Sequence, residues 1–170
     1  MSAWTNQTLS NDNDTEIGNP HVTCTISKET IMLRDELVNI ALRWQHRFGV
    51  APSITSTISE FDAALLVGCS ESEYSNFMQS RTAVSRGFDF EHNDIRYQVK
   101  AVRPSGKPGS KITNAGKARN LDWDVLIWIR YNKYYEIQEA WSWNVRSYES
   151  EIYPLKRVSP ENIRNGVRLR

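Results

Sequence analysis

The chain has 170 residues, 39% of them hydrophobic, with six Trp and a formal net charge of +1. That length and apolar content fit a single globular domain with a real core, and they exclude a disordered chain or an overall polycation. Cys24 and Cys69 are too few and too far apart for a disulfide framework or a zinc-ligand spacing, and no leader or bilayer-length apolar run is present, so a cytoplasmic protein without membrane contact is expected.

Residues 1–27 are polar, rich in Asn, Asp and Thr, and read as an N-terminal arm ahead of one domain over 28–170. A helix is expected from about Lys28 to Arg47, with Leu33, Leu37, Ile40, Ala41, Trp44 and Phe48 recurring at helical spacing as its buried stripe. Gly49 and Pro52 end it. A second helix should run from Ile54 or Thr57 to Val67, closed by Gly68, and a short third one should begin at Ser70.

Two strands follow in Gly87–Lys100, turning at His92-Asn93-Asp94. Pro104 to Asn120 is rich in Gly, Pro and Lys and reads as a long loop. Strands are expected at Trp123–Tyr131 and Tyr134–Trp141, with Asn132-Lys133 as the turn between them. A helix over Trp143–Ile152 and a short one opened by Ser159-Pro160-Glu161 complete the chain. The expected fold class is α+β, with a mixed, mostly antiparallel four-stranded sheet flanked by helices.

The polar pattern of the first strand pair carries the chemistry. Strict alternation sends Gln98 and Lys100 to one face of the second strand, and Asp89 and Glu91 to one face of the first. Acid, amide and ammonium groups then converge on a sheet edge, which suits a metal-dependent phosphodiester hydrolase. Between Arg96 and Arg119 lie seven basic residues and no acidic one, which suits a polyanionic partner. Among the aromatic residues, only Trp143 and Tyr148 are candidates for stacking on a base.

The order of ISEFDAALLVG, Gly87-Phe88-Asp89 and Gln98-Val99-Lys100 resembles the PD-(D/E)XK nuclease superfamily, in particular small bacterial and phage members with a Gln-x-Lys variant motif. The likeness spans roughly Thr57 to Ala140, and DWDVLIWIRY with YYEIQEAW is similar to the later strand pair of that family. It implies a restriction-endonuclease-like core and a Mg2+- or Mn2+-dependent DNA endonuclease of restriction, repair or mobile-element defence. By that resemblance Asp89 is the strand aspartate that binds metal, Gln98 stands at the second ligand position, Lys100 is the catalytic lysine and Glu60 is the helix glutamate that completes the site. Arg96, Arg103, Lys107, Lys111, Lys117 and Arg119 would contact the DNA backbone. Many relatives that cut both strands act as dimers, so a homodimer is an expected assembly.

Other readings of the same residues are bland. Thr57-x-x-Glu60 has the form of a capping box, which would turn Glu60 back onto its own helix. Gln98 and Lys100 could be a solvated strand face, and loop lysines could serve solubility alone. Two rival functions follow: a nucleic-acid-binding protein that retains the nuclease fold without cleavage, and a structural protein whose polar cluster only ties strands to a helix.

Overall fold

The computed structural model describes residues 26–81 and 87–170. The expected polar arm therefore lies, except for Ile26 and Ser27, outside the described residues. The elements are α1 (Lys28–Phe48), α2 (Thr55–Leu66), α3 (Glu71–Ser80), β1 (Phe90–His92), β2 (Ile95–Val102), β3 (Val125–Tyr131), β4 (Ile137–Asn144), α4 (Val145–Glu151), α5 (Pro160–Ile163) and β5 (Val167–Arg168). They build an α+β fold around a mixed sheet of order β1-β2-β3-β4-β5. The sheet has five strands rather than four. Its last strand is a two-residue pairing with β4, too short to leave a period in the sequence.

Only β2 and β3 run parallel, with Tyr97 opposite Val125 and Val102 opposite Arg130. A parallel pair needs a crossover, and residues 103–124 supply it without regular structure. This loop is anchored: Ala115 and Ala118 are buried, the Ala115 amide bonds the Val158 carbonyl, and Trp128 Nε1–H bonds the Ala115 carbonyl at 2.8 Å. The β1–β2 hairpin closes on Asn93 and Asp94, with φ of 52° and 59°. Two consecutive left-handed residues give the twist that a two-residue hairpin loop needs, and Asn and Asp tolerate it best after Gly.

One sheet face meets α1, α2 and α3 through Ile58, Ala63, Ala64, Phe90, Tyr97, Val99, Ile127 and Ile129. Asp62 is buried in this layer and takes a two-pronged contact from Arg34, Nε at 3.1 Å and Nη2 at 2.8 Å, plus the Tyr131 hydroxyl at 2.7 Å. One carboxylate thus ties α1, α2 and β3. Of the expected α1 stripe, Ala41 and Leu37 pack inward and the other four residues do not. Leu33, Ile40, Trp44 and Phe48 are exposed at 66, 58, 51 and 60%, while Val38 and Ala41 face the core. Helical spacing marks an apolar arc but cannot say which of two arcs the sheet covers.

The opposite face carries Trp123, Leu126, Trp128, Trp143, Tyr148, Ile152 and Ile163. Trp143 lies on β4 rather than at a helix start, and its Nε1–H bonds the Ile163 carbonyl at 2.9 Å. Tyr148 is wholly buried and accepts the Ala118 amide. Neither ring is open to a base, so both stacking candidates are withdrawn. At its rim Glu139 binds Arg130 and Arg164, which hold its carboxyl down at about 2.

Candidate active site at the sheet edge

β1 pairs with β2 only as far as Phe90 opposite Tyr97. Among the described residues no strand lies beside the outer edge of β2 from Gln98 onward, and Asp89 fills that place. Its amide still donates to the Tyr97 carbonyl at 2.7 Å, while its carboxylate Oδ2 accepts the Val99 amide at 2.6 Å. The side chain so replaces the next rung of the ladder. The Gln98 side-chain amide donates to the same oxygen. A carboxylate only accepts, so the orientation of the Gln98 amide follows: its nitrogen faces Asp89 and its Oε1 is left to offer elsewhere.

Gly87 has φ of +110°, and a Cβ there would stand 2.8 Å from the Asp122 side chain. That close approach requires glycine and seats the start of the Gly-Phe-Asp segment against the chain entering β3. Arg81 fixes the segment from the other side, donating to the Asp89 carbonyl at 2.9 Å and the Phe88 carbonyl at 3.1 Å. Arg81 lies in a polar stretch without a period, and no local pattern marks it out. Its proximity to Asp89 arises only in the fold.

Glu60 comes to this edge from α2. The helix begins at Thr55, its N-cap Ile54 makes no side-chain bond, and the Thr57–Glu60 capping box does not form. The Glu60 carboxylate instead lies 3.9 Å from Arg81 Nη1. Its carboxyl is pushed up to about 7, first by burial and then by the charge of Asp89, while Arg81 and Lys100 pull the other way. Glu60 therefore senses the charges of both Asp89 and Lys100, and Gln98 is bonded to Asp89. On β2 the alternation holds: Tyr97 and Val99 enter the helix-side core, and Gln98 and Lys100 lie on the other face. Glu91 stays outside the cluster, exposed and paired across the hairpin with Arg96.

The six expected DNA contacts divide. Arg96 is spent on Asp124, with Nε and Nη2 each at 2.9 Å, and this holds the Asp124 carboxyl down at about 2. Arg103 bonds Gln45 Oε1 at 2.7 Å and the Lys133 carbonyl, and lies 4.2 Å over the Tyr135 ring. Lys117 bonds the Tyr153 and Leu155 carbonyls. Lys107, Lys111 and Arg119 are exposed, and among the described residues their side chains take no acidic partner. Lys107 and Lys111 line a groove of about 710 Å3 with Arg130, Lys133 and Arg164. Lys111 also borders the hollow at the end of β2 formed with Ala101 and Asn114.

Comparison with models of known families finds no match to this chain, and no curated protein matches it either. Among the described residues no helix is long and apolar enough to cross a membrane.

Proposed function

We propose that the chain is a metal-dependent phosphodiester hydrolase acting on DNA, with Glu60, Asp89, Gln98 and Lys100 as its working residues and a restriction-endonuclease-like core as its scaffold. The observation that carries this reading is the approach of Glu60 and Asp89 to one another at the outer edge of β2, joined by Arg81. A Glu60 carboxyl pushed up by burial and by the Asp89 charge is relieved by a cation. The donor set fits a hard ion such as Mg2+ or Mn2+, because it offers carboxylate and amide oxygens without sulfur or imidazole. Asp89 has Oδ1 to offer, Gln98 its Oε1, and Glu60 the second negative charge. When bound, such an ion polarises the scissile phosphate and makes a bound water more acidic. The Lys100 ammonium holds a water by hydrogen bonding and offsets charge gathering on the phosphate oxygens. Arg81 keeps the Asp89 backbone in place, and Lys107, Lys111 and Arg119 grip the DNA backbone.

The test is cleavage of plasmid, single-stranded and branched DNA with and without Mn2+. Lys100→Ala should lower cleavage by at least ~100-fold, as loss of one electrostatic stabiliser does, with DNA affinity little changed. Asp89→Asn should abolish cleavage and metal binding together. If both variants cut as fast as the parent, the activity belongs to another site. A parent that binds DNA yet cuts no substrate with any metal would favour the second reading, a binder that retains the fold. That reading draws on Gln98, which leaves the site one carboxylate short of the usual pattern.

We also propose that a second copy of the chain covers the exposed arc of α1. Glu29 and Glu36 lie on that arc toward the helix start, and Arg43 and Arg47 toward its end. Antiparallel pairing about a twofold axis sets the acidic half of each helix against the basic half of the other.

A further inference from the structure

We propose that Cys69, Glu73 and His92 form a second cation site, suited to zinc and separate from the hydrolase site. The cysteine sulfur, one carboxylate oxygen and one imidazole nitrogen all lie within 4.8 Å of one another. Three different elements present them. Cys69 follows Gly68 at the end of α2, its amide bonded to the Ala64 carbonyl at 2.9 Å. Glu73 stands in the first turn of α3, and His92 is the last residue of β1.

Glu73 and His92 are each already oriented by a neighbour, while the Cys69 sulfur lies 3.6 Å from the Ser70 carbonyl. Glu73 completes a capping box: Oε2 accepts the Ser70 amide at 2.8 Å and the Ser70 hydroxyl at 2.6 Å. Its Oε1 is the atom turned to His92, 3.5 Å from Nδ1. The His92 side chain is only 9% exposed, and its Nδ1 is fully enclosed without a hydrogen-bond partner. A buried polar atom left in that state is unfavourable, and a cation placed between it and the two other donors would relieve it. The Asn93 side-chain amide lies 2.9 Å from Nε2. The Asn93 atom facing Nε2 is Nδ2; turning that amide over would let its oxygen accept Nε2–H and leave the Nδ1 lone pair to an ion.

Zinc–sulfur distances of about 2.3 Å and zinc–nitrogen distances of about 2.0 Å place neighbouring donors of a tetrahedral ion roughly 3.3–3.7 Å apart. The Nδ1–Oε1 separation of 3.5 Å already lies there, and the other separations reach no more than 4.8 Å. Sulfur, nitrogen and carboxylate together favour zinc over magnesium. Three protein donors leave a fourth position for water.

The test uses the whole protein, freed of metal and titrated with Zn2+ against a chromophoric chelator and with Co2+ by absorption. One equivalent should bind, and Co2+ should give a thiolate charge-transfer band. Cys24→Ser and Asp89→Asn should keep that band, which assigns it to Cys69 and separates it from the hydrolase site whether or not the protein cuts DNA. His92→Gln should lose it. Glu73→Gln keeps a residue able to serve the capping box, so the fold is retained, and should weaken Zn2+ at least tenfold. A folded parent without the band, or equal Zn2+ affinity in parent, His92→Gln and Glu73→Gln, would overturn the site and leave a plain His–Glu contact under the hairpin.

Discussion

At Glu60 a single side chain couples stability to pH. Its carboxyl is held at about 7 against an ordinary 4.5 by burial and Asp89, and its side chain is only 19% exposed. A carboxyl raised by folding binds its proton more tightly in the native state. The stabilisation is therefore complete below pH 4.5 and is lost as pH rises through about 7, an effect of up to about 3 kcal/mol. Glu60→Gln, which stays neutral, should flatten the fall in stability between pH 5 and pH 8, read by chemical denaturation in the absence of divalent ions. Saturating Mg2+ should restore the parent at pH 8 and do little for the variant. Parallel stability profiles for parent and Glu60→Gln would remove Glu60 from the cluster. The bond between Asp89 and Gln98 was foreshadowed by alternation, which also puts Lys100 on the Gln98 side of β2. Arg81, the unformed Thr57 cap and the Cys69–Glu73–His92 cluster were not foreshadowed. Each of these depends on how α2 and α3 lean on β1, and counting cysteines by spacing is blind to a site built from three residue types.

Most elements were readable because their local signals agree with their burial. Gly49 closes α1, Ser70 caps α3, and Asn93-Asp94 turns the first hairpin. The crossover of 103–124 is harder, since its basic residues look alike in sequence and differ in the fold. Arg96, Arg103 and Lys117 are occupied by internal partners, so the electrostatic footprint should rest on Lys107, Lys111 and Arg119. Replacing those three by Ala should weaken DNA binding similarly for all sequences and flatten the log–log salt slope by up to about 2.7, at roughly 0.9 per lost phosphate contact. Lys117→Ala should leave the slope unchanged while lowering stability. A slope unmoved by the triple variant would shift the DNA path to the basic tail beyond Leu155.

At the scale of the whole molecule, the arc of α1 left open by the sheet is the largest departure from expectation. Met32, Leu33, Ile40, Trp44 and Phe48 are each more than half exposed. Covering what remains accessible is worth about 1 kcal/mol per side chain, or roughly 10 kcal/mol for two copies. Association costs at least about 4 kcal/mol, which leaves a dimer with a dissociation constant in the range of tens of micromolar. Pairing centred on Ile40 sets residues whose numbers sum to about 80 opposite one another, so Glu36 meets Arg43 of the second copy. Sedimentation across a concentration series should show monomer and dimer in exchange, and Ile40→Glu should leave monomer alone. Charge reversal gives the sharper test. Arg43→Glu should weaken the dimer by placing like charges together, and adding Glu36→Arg should restore it, because each swapped residue again meets its opposite across the axis. A parent that stays monomeric at every soluble concentration, or a double reversal that fails to recover association lost in the single one, would mean that something other than a second copy covers this helix.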